Sequence, residues 1–97
     1  MPDLAARWRS RAADFMQQAR DGKARLQAAA TKDETLAARM KFERARLQAE
    51  FWRHMVDRLE ACPHLLPEAA VGEITRHSLY RDLWATVAED LKAHETA

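Results

Sequence analysis

A chain of 97 residues, 47% hydrophobic and 32% charged, has the size of a single domain with a modest core. Its formal net charge of +1 provides no global attraction to nucleic acid or anionic lipid. Cys62 is its one cysteine, which excludes an intramolecular disulfide, and no apolar run approaches the ~20 residues that cross a bilayer.

The opening stretch MPDLAARWRSRAADF carries charges throughout and has no apolar core of the kind a secretory signal needs. A cytoplasmic location is therefore expected. The halves of the chain differ in charge. Residues 1–48 hold eleven Lys/Arg against six Asp/Glu, and residues 49–97 hold five against nine. Such asymmetry favours packing of one half on the other, self-association, or an acidic partner.

Ala, Arg, Leu, Glu and Gln dominate, all good helix formers. Val and Ile are few, and no stretch alternates apolar and polar residues for a strand's length. The expectation is an all-α, single-domain antiparallel bundle of three main helices, at about 3–30, 33–61 and 67–94.

The first helix carries the stripe Leu4, Trp8, Ala12, Phe15, Ala19, Leu26 and Ala30. At ~100° per residue these stay on one side of the cylinder. Gly22 lies on the same stripe and keeps its phase, so it reads as a point of close packing within one long helix. Thr31 and Glu34 then fit a capping box for the second helix.

The second helix places Leu47, Phe51, Trp52, Met55, Val56, Leu59 and Cys62 on one wide face. A main line of Met40, Leu47, Phe51 and Met55 is expected in the core, with Phe42 off it. Cys62 precedes Pro63, which biases it away from helix. The stretch PHLLP makes the second turn, and Pro67 suits a first helical position. The third segment shows Leu79, Leu83, Val87 and Leu91 in helical phase. Gly72 and Ser78 weaken its first half, so a break near Ser78 is the alternative.

Two stretches, EFWRH at 50–54 and EITRH at 73–77, each set a carboxylate and an imidazole four residues apart. Metal sites in bundles use inward-facing carboxylates and a Glu-x-x-His spacing. Here the spacing is one longer, and His54 is expected on the wet side. The reading is a solvated Glu50–His54 pair, with no metal and no cofactor. Catalytic motifs are absent: there is no nucleophile elbow, phosphate loop or dinucleotide fingerprint. An enzyme is not expected.

The expected function is a small non-enzymatic interaction protein, docking a helical face on a partner protein of unknown identity and self-associating as a homo-oligomer. Phe42, Trp52 and Val56 are the candidate partner-binding residues, because they widen the second helix's apolar face beyond what one neighbour covers. The alternative is a nucleic-acid-binding regulator. It would use Arg7, Arg9, Arg11, Arg20 and Arg25, which flank the first helix's apolar stripe and would track a phosphate backbone. A membrane surface is not expected, because the stripe is rich in alanine and poor in bulky residues.

Overall fold

The computed structural model describes residues 4–61 and 78–96. They form three helices: α1 at Leu4–Ala28, α2 at Lys32–Ala61 and α3 at Ser78–Thr96. No strand occurs among the described residues, so the protein is an all-α helical bundle. The expected turn PHLLP at 63–67, the helical start at Pro67, and Cys62, Glu73 and His77 lie outside the described residues. So does the stretch that decides whether a helix runs on before Ser78.

A three-residue link joins α1 to α2, and its chemistry explains why it stops where it does. The Glu34 N–H donates to Thr31 Oγ1 at 3.1 Å. The Glu34 carboxylate reaches back to the Ala30 N–H at 3.0 Å. Thr31 thus satisfies one of the backbone donors that the start of a helix leaves free, and Glu34 satisfies the N–H of the link residue Ala30. The expected capping box forms, with its carboxylate closing one residue earlier than the usual pattern.

The seam between α1 and α2 alternates steps of three and four residues, the repeat that keeps two helices in continuous register. On α1 it runs Ala5, Trp8, Ala12, Phe15, Ala19, Gly22 and Leu26, all buried or half-buried. On α2 it runs Ala38, Phe42, Ala45, Ala49, Trp52 and Val56, likewise. Trp8 meets Trp52, with ring centroids 5.6 Å apart, and Gly22 meets Phe42. Residues later in α1 therefore meet residues earlier in α2, and the two helices form a hairpin. At Gly22 the approach is tight: a Cβ there would stand 3.0 Å from Phe42 Cα. The close-packing role read for Gly22 is what the fold uses.

The third helix packs at the open end of this hairpin. The core gathers Leu4 and Trp8 from α1, Phe51, Trp52, Met55 and Val56 from α2, and Leu79, Leu83, Trp84 and Val87 from α3. Phe51 is its hub. Its ring meets Trp52 at 5.2 Å and Trp84 at 5.6 Å, both edge to face. Such pairs each add about 0.5–1.5 kcal/mol beyond the area they bury. Among the described residues, nothing between 16 and 46 belongs to this core. The far half of the hairpin, called the tip below, is held by the α1–α2 seam, whose buried members there are Ala19, Gly22, Ala38 and Ala45. The molecule is accordingly long, 49 × 29 × 21 Å.

The expected core line on α2 needs correction. Phe51 and Met55 are buried and Leu47 and Leu59 half-buried, but Met40 is 65% exposed. The seam falls on 38, 42, 45 and 49, and Met40 points to the other side of the helix. Ala30, expected on the α1 stripe, is exposed beyond the end of that helix.

Candidate interaction surface

Trp52 and Val56, proposed from the sequence as partner-binding residues, are 1% and 6% exposed. The width of the α2 face is taken up within the chain. Trp52 and Val56 line the seam with α1, while Phe51 and Met55 carry the adjoining side against α3. Trp52 also lies beneath the Arg11 guanidinium, 4.4 Å from the ring centroid. Its indole Nε1 has no hydrogen-bond partner although it is buried. Phe42, the third candidate, is half-buried against Gly22 and is a seam residue.

Among the described residues, the most exposed large apolar side chains are elsewhere on α2, with Met16 of α1 exposed to a lesser degree. Spacings of four, seven and four put Leu36, Met40, Leu47 and Phe51 on one side of that helix. Tyr80 and Trp84 of α3 cover Phe51. Leu47 is half-buried. Beyond it the stripe emerges from under α3, and Met40 and Leu36 are 65% and 59% exposed. This is the outer face of the tip.

Around the edge of the tip, between α1 and α2, lies a shallow depression of about 400 Å³. Ala28, Ala29, Ala37 and Ala38 floor it, and Arg25 and Lys41 stand at its sides. Glu34 also borders it and keeps its negative charge while accepting from the Ala30 N–H, so the rim carries one positive charge in excess. An alanine floor between two cations suits an apolar surface that carries negative charge.

The five N-terminal arginines divide into different roles. Arg11 donates to Asp90 Oδ2 at 2.8 Å, and its side chain is 26% exposed. It fastens α3 to α1. Arg9 pairs with Glu60 across the open end of the hairpin, with both side chains about half exposed. Arg20 makes a long contact of 3.5 Å to Gln17. Arg7 and Arg25 are exposed. The basic flank of α1 is therefore spent in part on internal pairing, and no single line of free arginines follows the helix.

His54 is exposed, and Glu50 accepts from Arg46 at 3.1 Å. Arg46 also donates to Glu43 at 2.9 Å. The hydrogen bond and charge of Glu43, then the charge of Glu50, raise the Arg46 pKa above its ordinary value. The Glu50–His54 spacing thus serves a solvated surface in which the carboxylate turns to arginine. No group of three or more His, Cys, Asp or Glu side chains suited to a metal occurs among the described residues.

Three features escaped sequence reading. Nothing in the local pattern of Asp90 marks it as the acceptor for two groups from α1. Leu36 and Met40 are exposed because α3 stops short of them. Lys41 borders the depression because Ala37 and Ala38 leave space beside it. No helix among the described residues is long and apolar enough to cross a membrane. No family model matches the chain, and neither a curated protein nor a solved structure is detectably similar to it.

Proposed function

We infer that the protein is a small, non-enzymatic, cytoplasmic interaction module that docks a helical face on a partner protein and self-associates. The observation that carries this reading is the outer face of the tip, where Leu36 and Met40 are more than half exposed beside a hairpin seam of small residues. Singly exposed apolar residues are ordinary. Two on one helix face, continuing a stripe that is buried further along, mark a surface suited to a partner. The sequence supplies no catalytic motif to argue for chemistry instead.

The double substitution Leu36→Glu with Met40→Glu tests it. Both side chains are largely outside the core, so helicity and urea stability should stay within about 0.5 kcal/mol of the parent. A photo-reactive residue at position 36 or 40 should crosslink to a protein partner in the cell. The same probe placed beside the glutamate substitution should not. Crosslinking that persists in the charged variant, or none in either protein, overturns the reading.

A second reading, nucleic-acid binding, draws on the charge of the tip, where residues 16–47 hold eight Lys/Arg against four Asp/Glu. Phosphate-backbone binding falls steeply with salt, whereas an apolar protein interface changes little. A salt titration of binding to a short duplex separates the two.

A further inference from the structure

The two ends of this molecule differ in charge. At the tip, Lys23, Arg25, Arg39, Lys41 and Arg44 are all exposed. At the other end, Arg9 and Arg11 are engaged by Glu60 and Asp90. There α3 carries Asp82, Glu89, Asp90 and Glu95 against Arg81 and Lys92. Asp82 and Glu89 are exposed, with exposed Ala85 between them. Spacings of three and four place these three residues on one face of α3. A basic tip and an α3 face with two exposed carboxylates thus belong to one molecule 49 Å long.

We propose that the tip depression is a docking site for a second copy of this chain. Two copies lie side by side and point in opposite directions about a two-fold axis. The Asp82–Ala85–Glu89 face of each then meets the Arg25–Lys41 depression of the other. The proposal rests on the docking reading above and names its partner.

Charge complementarity is the first argument: the exposed carboxylates of α3 meet exposed cations that have no use within the chain's own core. The depression is the second. Its floor of Ala28, Ala29, Ala37 and Ala38 lets a helix that presents Ala85 approach closely, since interaxial distance depends on the side chains at the contact. Area is the third. A stable interface buries about 800 Å² per partner, against a total surface of 6859 Å². One contact at the tip is too small for that. Two reciprocal contacts, with the flanks between them, spread the interface along the whole molecule. Two-fold closure also keeps the same complementarity from growing into an open chain of molecules.

Sedimentation of charge-reversed variants tests the arrangement. The parent should dimerise at low salt and weaken as salt rises. Arg25→Glu with Lys41→Glu should weaken dimerisation at least about tenfold, and Asp82→Lys with Glu89→Lys by a similar factor. Circular dichroism should show each variant helical. An equal mixture of the two variants should dimerise again, because both contacts then join opposite charges. A parent that is monomeric at every concentration and salt overturns the proposal. So does a dimer indifferent to both reversals, or a mixture that stays monomeric. A parent that gives no crosslink from position 36 or 40 would overturn the docking reading as well, whereas a crosslink to a foreign protein by a parent that stays monomeric would overturn self-pairing alone. Binding of a short RNA or DNA duplex by a monomeric parent, lost with Arg25 and Lys41, would assign the depression to phosphate.

Discussion

Trp8 and Asp90 are 82 residues apart in sequence, and the Trp8 indole N–H donates to Asp90 Oδ2 at 2.9 Å. The same oxygen accepts from Arg11 at 2.8 Å. One carboxylate therefore satisfies a buried indole and a largely covered guanidinium, both on α1, and holds α3 against the hairpin. Asp90→Ala should leave both donors without their acceptor and cost roughly 2–4 kcal/mol, in the range for breaking a partly buried charged network. Asp90→Asn keeps an acceptor for Trp8 and should cost less. Urea unfolding followed by tryptophan fluorescence reads both. Equal losses would show that a neutral acceptor does not suffice and that the charge is what matters.

The hairpin was largely legible from sequence. Thr31 and Glu34 announced the turn through local chemistry that needs no tertiary contact. Gly22 was legible because it sat in phase with Trp8, Phe15 and Leu26. The side of α2 facing α1 was harder to read. Ala38, Ala45 and Ala49 carry most of that seam, and alanine gives a weak hydrophobic signal beside Met40 and Leu47. The larger side chains drew the expected core line to the wrong side near the tip. Asp90 and Arg11 show the other limit. A charged pair that joins the two ends of the chain leaves no trace in either local pattern.

The close approach at Gly22 gives a second prediction. Gly22→Ala gains up to about 1 kcal/mol of helix propensity. Its Cβ, however, would press on the backbone of Phe42 at 3.0 Å, and overpacking of this kind costs about 1–3 kcal/mol. A net loss of stability is expected, read as a lower urea midpoint. A gain would mean that the two helices separate at the tip without penalty.

The capping of α2 is local and gives a cleaner magnitude. Thr31→Ala removes the side-chain acceptor for the Glu34 N–H and should cost about 1 kcal/mol. Thr31→Asn keeps an acceptor of at least equal capping strength and should leave stability close to that of the parent. The exposed Arg46 offers a contrast: Arg46→Ala breaks two surface pairs in full solvent, and its effect should be smaller than that of Thr31→Ala. A loss at Arg46 as large as that at Thr31 would contradict this ranking of surface pairs and caps.

Trp52 separates a core role from a binding role. It is 1% exposed, meets Trp8 and Phe51, and lies under Arg11. Trp52→Ala should therefore cost about 3–5 kcal/mol, as for other buried aromatics. Trp52→Phe should cost much less than its lost volume suggests. It removes the indole N–H that is buried without an acceptor, and an unsatisfied buried donor itself costs about 1–3 kcal/mol. The pair of variants should show stability and association diverging: Trp52→Phe nearly as stable as the parent and equally able to dimerise, Trp52→Ala unfolded or close to it. The comparison uses calorimetric melting beside sedimentation at matched concentration. A Trp52→Phe protein that melts like the parent yet fails to associate would place Trp52 in the interface after all, reached when the hairpin or α3 opens.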